Sequence, residues 1–200
     1  EDVKVGVLLG FTGPLETTVP NMAAGAELAI KEVSDSGKFM GGSTVTPVRG
    51  DTTCVDAAAA QSAAERLVTS EKEKVVGIVG GDCSGVTGAV LQNVARPNGV
   101  GMISPSATSP ALSTAEDDGL FFRTAPSDAR QGEIMADILS ERGAKEVAVT
   151  YTNNDYGKGM ADAVAAAFAA NGGKVTLAAP HEDGKADYSA EVGALASAGG

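Results

Sequence analysis

The sequence is poor in the residues that several common protein classes require. It holds one histidine and two cysteines in 200 residues, aromatic residues make up 4%, and no two Lys or Arg residues are adjacent. The formal net charge is −11, and because phosphate binding needs clustered positive charge, nucleic acid is excluded as a partner. No stretch approaches the roughly 18 consecutive apolar residues of a membrane-spanning helix. With 43% hydrophobic and 20% charged residues, we expect a folded globular protein without a membrane span.

Known catalytic and nucleotide-binding motifs are also missing. The loops that follow apolar runs contain neither the GxxxxGK[ST] nor the GxGxxG pattern, so no nucleotide cofactor is expected. A nucleophile elbow around Ser84 would need glycines two residues away on either side, where the sequence has Asp82 and Val86. The lone histidine, His181, lies in a polar stretch that is typical of a solvated loop. An enzyme that uses Ser84 or Asp82 would lack a nearby base, so we expect no enzymatic activity.

The two cysteines leave two interpretations open. Cys54 and Cys83 are too few for a zinc site unless His181 and a carboxylate join them, and their spacing fits no zinc-finger pattern, so no metal is expected. They are either two buried free thiols or a disulfide that closes a loop with 28 intervening residues. A disulfide would add roughly 3–4 kcal/mol of stability. It would also place the protein outside the reducing cytosol.

Apolar runs of strand length alternate with helical patterns along the chain. Such βα alternation predicts right-handed crossovers and parallel sheets with helices on both faces, an α/β fold. The predicted strands cover 3–10, 43–51, 74–81, a short part of 100–112, 146–152 and 174–180. The predicted helices cover 20–37, 55–71, 84–99, 128–142, 157–173 and 187–198.

The rhythm restarts after residue 119, which indicates two lobes. Residues 119–128 are interpreted as the crossing between them. We assign 1–121 to an N-terminal ligand-binding lobe and 122–200 to the beginning of a second lobe. The second lobe has only two predicted strands, and two parallel strands cannot shield their edges, so it is expected to be incomplete.

Short hydroxyl side chains follow the third and fourth predicted strands. Because ligands of parallel sheets bind at the carboxyl ends of the strands, beside helix N-termini, these loops favour a small anionic or zwitterionic ligand. Ser84 also suits the N-cap of the helix that follows it. The hydroxyl residues are Ser84, Thr87, Ser104, Ser106 and Thr108.

Seven segments together resemble one known family. The chain is similar along its whole length to the periplasmic solute-binding proteins of ABC transporters, of the leucine/isoleucine/valine-binding type. The resemblance implies a type I periplasmic binding fold, with two Rossmann-like lobes that close over a ligand in the cleft, and a disulfide between Cys54 and Cys83. The segments are EDVKVGVLLGFTGP, GAELAI, DTTC, GGDCSG, MISPSATSPAL, FRTAPSD and NDYGKGMADAV.

The resemblance also implies a set of ligand-binding residues. Ser84 would donate from its hydroxyl and amide to the α-carboxylate of an amino acid. Ser106 would offer its carbonyl oxygen to the ammonium, Ala107 lies beside it in the same loop, and Thr108 would contribute its hydroxyl and amide. Tyr156 would close on the ligand from the second lobe.

The sequence departs from the family pattern in two ways. Family members commonly have a tyrosine in the loop after the first strand, where this chain offers Thr18, so the side-chain pocket is expected to differ. Family members also exceed 300 residues, so we expect a fragment whose ammonium-pairing acidic residue lies beyond residue 200. The implied function is a periplasmic receptor, without its signal peptide, that delivers an amino acid to an ABC permease. The alternative is a receptor of the same fold for an amide, urea or aromatic carboxylate.

Overall fold

The computed structural model describes residues 2–199, which form two parallel sheets flanked by helices. Short 3₁₀ turns occupy Phe39–Gly41 and Pro110–Ser113. The strands are β1 (Asp2–Leu9), β2 (Thr44–Asp51), β3 (Gly77–Gly80), β4 (Gly101–Ser104), β5 (Phe121–Arg123), β6 (Glu146–Thr152) and β7 (Lys174–His181). The helices are α1 (Val19–Asp35), α2 (Ala57–Thr69), α3 (Ser84–Val90, continued by a π-helical turn over Leu91–Ala95), α4 (Asp128–Glu141), α5 (Asp155–Ala170) and α6 (Ser189–Ala198).

The first sheet has the order β2-β1-β3-β4-β5, with every neighbouring pair parallel. The most apolar strand, β1, lies inside the sheet, where Val7, Leu8 and Leu9 are fully buried. Pro47 cannot donate a backbone hydrogen bond, and its strand β2 lies at the edge, as the sequence predicts. The carboxyl ends of β1–β4 therefore meet along one border of the sheet.

Helices cover the two faces of this sheet to different extents. On one face Gly6 leaves space for Leu67 of α2, whose side chain would lie 3.2 Å from a Cβ at residue 6. On the opposite face Val7 and Leu9 pack in a cluster with Val19 and Ala23 of α1. Since side chains alternate between faces along a strand, β1 is buried on both sides.

The α1 face is open over β3, β4 and β5 within the described chain. Ile103 is 40% exposed and Phe122 is 59% exposed, although both belong to the sheet. Gly77 of β3 and Gly101 of β4 are paired with each other and leave the floor of this apolar surface flat. Parallel sheets normally carry helices on both faces, so an exposed apolar face on a parallel sheet is unusual.

The second sheet pairs β6 with β7 in parallel. Helix α5 packs on both strands, and α4 packs closely on α5 because Gly132 has no side chain: a Cβ there would lie 2.7 Å from Ala163. Phe168 of α5 is fully buried, whereas α6 contributes no buried residue to the described chain.

The described chain divides into two compact units. One runs as far as Ala107 and includes Ala115–Ala125, and the other comprises Thr108–Thr114 and the chain from Pro126 onward. The predicted boundary between residues 121 and 122 falls inside β5. The chain leaves the first unit between Ala125 and Pro126, inside the predicted crossing at 119–128. The same stretch also contains Phe121–Arg123, which adds an unpredicted fifth strand to the first sheet.

Candidate functional site

The side chain of Asp82 joins the loops at the carboxyl ends of the first three strands. This residue follows β3 and is only 2% exposed. Its Oδ2 accepts a hydrogen bond from the amide of Gly10, after β1, at 2.8 Å. Its Oδ1 accepts from the hydroxyl of Thr52, after β2, also at 2.8 Å. One buried carboxylate therefore fixes three loops relative to each other.

Two serines join the loop after β4 to the backbone of the loop that contains Asp82. Ser104, fully buried, donates its hydroxyl to the carbonyl of Gly81 at 2.5 Å and accepts from the amide of Ala107 at 2.9 Å. Ser106 donates its hydroxyl to the carbonyl of Asp82 at 2.9 Å. The SPSAT segment is thus folded onto the GGDCSG segment by hydroxyl-to-backbone bonds. Buried polar groups that are all paired in this way specify a single loop arrangement.

A disulfide adds a covalent link between the same loops. Cys54 and Cys83 are bonded, with their Cα atoms 5.2 Å apart, and this confirms the pairing that the resemblance implies. The amide of Cys54 also donates to the Thr52 hydroxyl at 3.2 Å. The covalent link and the Asp82 contacts thus belong to one assembly, which we call the strand-end cluster: Gly10, Thr52, Cys54, Asp82, Cys83, Ser104 and Ser106.

A second carboxylate supports the outer part of this border. Asp51, at the end of β2, accepts from the hydroxyl of Thr12 at 2.7 Å and from the amide of Thr53 at 2.8 Å. Burial raises the pKa of Asp51, but the hydrogen bonds from Thr12 and Thr53 together lower the pKa by more than burial raises it. The pKa of Asp51 therefore lies below its ordinary value. The hydrogen bonds thus favour the charged form that binds the loop after β1.

Ser84 is the first residue of α3 and is 4% exposed. The predicted capping role of Ser84 is wrong, because Cys83 occupies the N-cap with an extended backbone. The amides in the first turn of a helix lack acceptors within that helix, so they are suited to an anion. Gly81 leaves room beside this turn, since a Cβ there would lie 2.8 Å from the Thr87 hydroxyl.

Thr108 lies at the start of the second unit and is bound to Asp128. The Thr108 hydroxyl donates to Oδ2 of Asp128 at 2.8 Å, and the Asp128 amide donates to the Thr108 carbonyl at 2.9 Å. Asp128 is 3% exposed and begins α4. The hydroxyl hydrogen of Thr108 is therefore committed, while its oxygen can still accept.

Of the remaining predicted residues, Thr18 directly precedes a helix and Tyr156 lies in one. Thr18 is exposed at the N-cap of α1, and its hydroxyl donates to the Leu15 carbonyl at 3.0 Å. Tyr156 is the second residue of α5 and is 45% exposed. The structure thus joins Ser106 and Ala107 directly to the cluster beside Ser84. The ligand roles of the six residues stay predictions.

The sequence suggests that His181 lies in a loop, but in the structure it is the last residue of β7. Its Nδ1 lies 2.8 Å from the Thr150 hydroxyl. Its ring also lies edge-on to Tyr188, with 5.9 Å between the ring centroids. In residues 2–199 no group of three or more His, Cys, Asp or Glu side chains could hold a metal ion. None of the helices within these residues could span a bilayer.

Comparison with known proteins assigns this architecture. The sequence profile described as "Periplasmic binding protein" matches residues 2–199. The chain belongs to the periplasmic binding protein family. It is 36% identical over 203 residues to "Leu/Ile/Val-binding protein homolog 3" of Brucella melitensis biotype 1, covering 99% of this chain and 52% of the relative. The chain spans about half the length of the relatives it matches.

Solved structures agree with the family. The branched-chain amino acid transporter substrate-binding protein LivJ of Streptococcus pneumoniae, in complex with isoleucine, superposes with a TM-score of 0.81 at 30% identity, over 98% of this chain and 54% of LivJ. A solute-binding protein of an R. palustris ABC transporter, in complex with 4-hydroxybenzoate, has a TM-score of 0.83 at 24% identity, over 100% of this chain and 52% of that one. At this identity the second likeness shows the fold alone. The expected type I α/β fold is confirmed, and members of the family are solute-binding proteins.

Sequence reasoning misjudged Asp82 and overlooked Thr52 and Asp128 in this periplasmic binding protein. The sequence suggests only a catalytic role for Asp82, yet both of its oxygens accept structural hydrogen bonds. An acidic residue directly after a buried strand and two glycines was the available signal. Asp128 could have been found as an acid in the first turn of a predicted helix, where it is favoured by the helix dipole.

Proposed function

We propose that this chain is the ligand-binding part of an extracytoplasmic receptor that captures a small amino acid, branched-chain or related, for an ABC permease. The carrying observation is the strand-end cluster, whose hydrogen bonds and disulfide hold the loop that leads into Ser84 against Ser104 and Ser106. Support also comes from the 30% identity to LivJ, whose structure holds isoleucine. The disulfide supports a location in an oxidising compartment, and we propose the periplasm.

The polar groups suit a zwitterion. The α-carboxylate would accept from the Ser84 hydroxyl and from the first-turn amides of α3, where the helix dipole favours negative charge. The ammonium would donate to the Ser106 carbonyl. Because the Thr108 hydroxyl already donates to Asp128, its oxygen would accept from the ammonium, and its amide would donate to the carboxylate. Tyr156 would complete the set from α5.

A receptor function implies reversible binding without turnover. Both carboxylate oxygens of Asp82 accept hydrogen bonds within the fold, and an ordinary serine hydroxyl needs an adjacent base to become a nucleophile. We therefore propose that Ser84 binds and does not react. Recovery of an unchanged ligand after prolonged incubation would agree with this, and a ligand-derived product would contradict it.

Calorimetric titration of the complete gene product tests the proposal. The panel contains leucine, isoleucine, valine, threonine and alanine, with benzoate, 4-hydroxybenzoate and acetamide as the alternative ligand classes. We expect saturable one-to-one binding of at least one amino acid. A folded protein that binds none of the amino acids would overturn the proposal, and binding of an aromatic acid or amide alone would establish the alternative. That alternative is supported by Thr18, whose small exposed side chain provides no aromatic surface.

A serine substitution tests the assigned carboxylate donor. We expect Ser84→Ala to weaken amino-acid binding by about 1–3 kcal/mol, the scale of a hydrogen bond to a charged group. The matched control is Ser43→Ala, which removes a buried hydroxyl just before β2, at the opposite end of the strand. Equal affinity in the Ser84→Ala variant and the unmodified protein would show that Ser84 does not bind the carboxylate.

A further inference from the structure

We propose that Asp82 is a positioning residue for the ligand loop and that it acts in parallel with the Cys54–Cys83 disulfide. The inference rests on the proposed function, because it concerns how Ser84 is held. Asp82 would not touch the ligand. It would hold the residue two positions later in the chain at a fixed distance from the loops after β1 and β2.

The geometry of the carboxylate supports this role. Its two oxygens accept hydrogen bonds from different loops, one from the Gly10 amide after β1 and one from the Thr52 hydroxyl after β2, each at 2.8 Å. The site is closed, since Thr52 is fully buried and a Cβ on Gly10 would lie 2.8 Å from Oδ2. A carboxylate with this little exposure is retained only where its hydrogen bonds offset the loss of water. No smaller or apolar side chain could replace both contacts.

The disulfide and the carboxylate join the same two loops. Asp82 contacts Thr52, and the next residue of its loop, Cys83, is bonded to Cys54 two residues further along the other loop. The Cys54 amide binds the same Thr52 hydroxyl that Asp82 accepts from. A disulfide limits the distance between two Cα atoms but leaves several side-chain torsions between them. The carboxylate adds a third anchor at Gly10 and so fixes the orientation of the loop.

Asp82 and the disulfide connect the same two loops, so we expect their contributions to ligand affinity to be non-additive. When the disulfide is absent, the Asp82 contacts still hold the loop after β3 close to the loop after β2. When Asp82 is replaced, the disulfide keeps the loops together but leaves Ser84 free to shift. When both are lost, the covalent link and the Asp82–Thr52 hydrogen bond between these two loops are both gone. Residues that share one network show such coupling in double-mutant cycles.

The experiment uses four variants of the complete gene product, titrated with isoleucine. Asp82→Leu removes both carboxylate contacts, Asp82→Asn keeps the shape and one acceptor, and Cys54→Ala/Cys83→Ala removes the disulfide. The fourth variant combines Asp82→Leu with the cysteine substitutions. We expect affinity to fall about tenfold or more for Asp82→Leu, about threefold or less for Asp82→Asn and for the cysteine variant, and more than the product of the single effects for the combination.

A matched control separates positioning from simple loss of stability. Ile30→Ala makes a cavity between α1 and β2, close to Val45 at the amino-terminal end of the sheet. It should lower the unfolding temperature yet leave isoleucine affinity unchanged. Equal affinity losses in Ile30→Ala and Asp82→Leu would overturn the proposal, as would purely additive effects in the double-mutant cycle. If Asp82→Leu does not fold, Thr52→Val removes one contact with an isosteric side chain and gives the same test.

Hydrogen exchange without ligand distinguishes this inference from the proposed function. We expect the amides of Gly10 and of Thr87, which donates to the Cys83 carbonyl at 3.0 Å, to exchange faster in Asp82→Leu than in Ile30→Ala, when the two variants are compared at equal stability. Unchanged exchange at these amides would overturn the positioning role. A protein that binds no amino acid would overturn the proposed function alone, because the exchange comparison would still decide the role of Asp82.

Discussion

The two units use polar side chains at their strand ends in opposite ways. In the first unit the contacts of Asp82, Ser104 and Thr52 are buried. In the second unit the corresponding contacts are exposed: Thr152 donates to Asp183 and Asn153 donates to Glu182 across the ends of β6 and β7. Asp183 itself is 70% exposed.

This difference concerns energy as well as position. A hydrogen bond in a buried site is stronger electrostatically, and leaving either partner unpaired there is costly. An exposed bond exchanges easily with water and contributes little. The first unit therefore holds its loops in one arrangement before any ligand binds. The loops of the second unit can rearrange at low cost, which suits the proposed closing role of Tyr156.

Removal of the disulfide should have the largest effect on this contrast. We expect Cys54→Ala/Cys83→Ala to lower the free energy of unfolding by about 3–4 kcal/mol, from the entropy of the loop it closes. Urea unfolding can follow the two units separately, because the chain has no tryptophan and all three tyrosines, Tyr151, Tyr156 and Tyr188, lie in the second unit. Circular dichroism reports the loss of secondary structure in both units. The circular dichroism transition should shift further than the tyrosine fluorescence transition, and equal shifts would contradict a local effect.

A pair of hydroxyl substitutions compares the two strand ends directly. Ser104→Ala leaves the Gly81 carbonyl and the Ala107 amide unpaired in a buried site, so we expect a loss of about 1–3 kcal/mol. Thr152→Val removes an exposed hydroxyl contact of similar length, so we expect a loss of less than about 1 kcal/mol. Chemical denaturation at pH 7 measures both. Losses of the same size would mean that burial does not distinguish the two units.

The smallest effect concerns acid stability at Asp51. Because hydrogen bonds hold the folded-state pKa of Asp51 below its ordinary value, the group stabilises the fold above the unfolded pKa of about 4, and this contribution is lost as pH falls through the lower folded pKa. Asp51 is partly exposed, so the contribution should stay below about 1 kcal/mol.

Thermal unfolding between pH 2 and pH 7 measures that contribution. The difference between the unmodified protein and Asp51→Asn should be present at pH 7 and should vanish at the acid end. In the second unit, the pKa of the fully exposed Asp187 is also lowered, by hydrogen bonds from Ser189. Asp187→Asn should change the midpoint less than Asp51→Asn does. A larger change for Asp187→Asn would reverse the ranking of the two units.

Strong periodicity explains which elements were predicted from the sequence. The apolar run of β1 is typical of a buried strand, and the alanine-rich pattern of α2 is typical of a helix. Both elements lie within two residues of their predicted bounds. The strand β5 was missed because Phe121–Arg123 is too short to show alternation, and it forms only through its pairing with β4. The role of Asp82 was missed for a similar reason. Its partners lie 72 and 30 residues away in the chain, and nothing local distinguishes a buried acid from an exposed one.

The edges of the first sheet have a consequence for behaviour at high concentration. A long, regular edge strand offers unpaired backbone groups to other molecules and promotes aggregation. Here β2 has Pro47 in its middle, which removes one donor from that edge, and β5 contains three residues. Neither border is a good template for a strand from another copy. The first sheet is therefore poorly suited to pairing with a strand of another copy at high concentration.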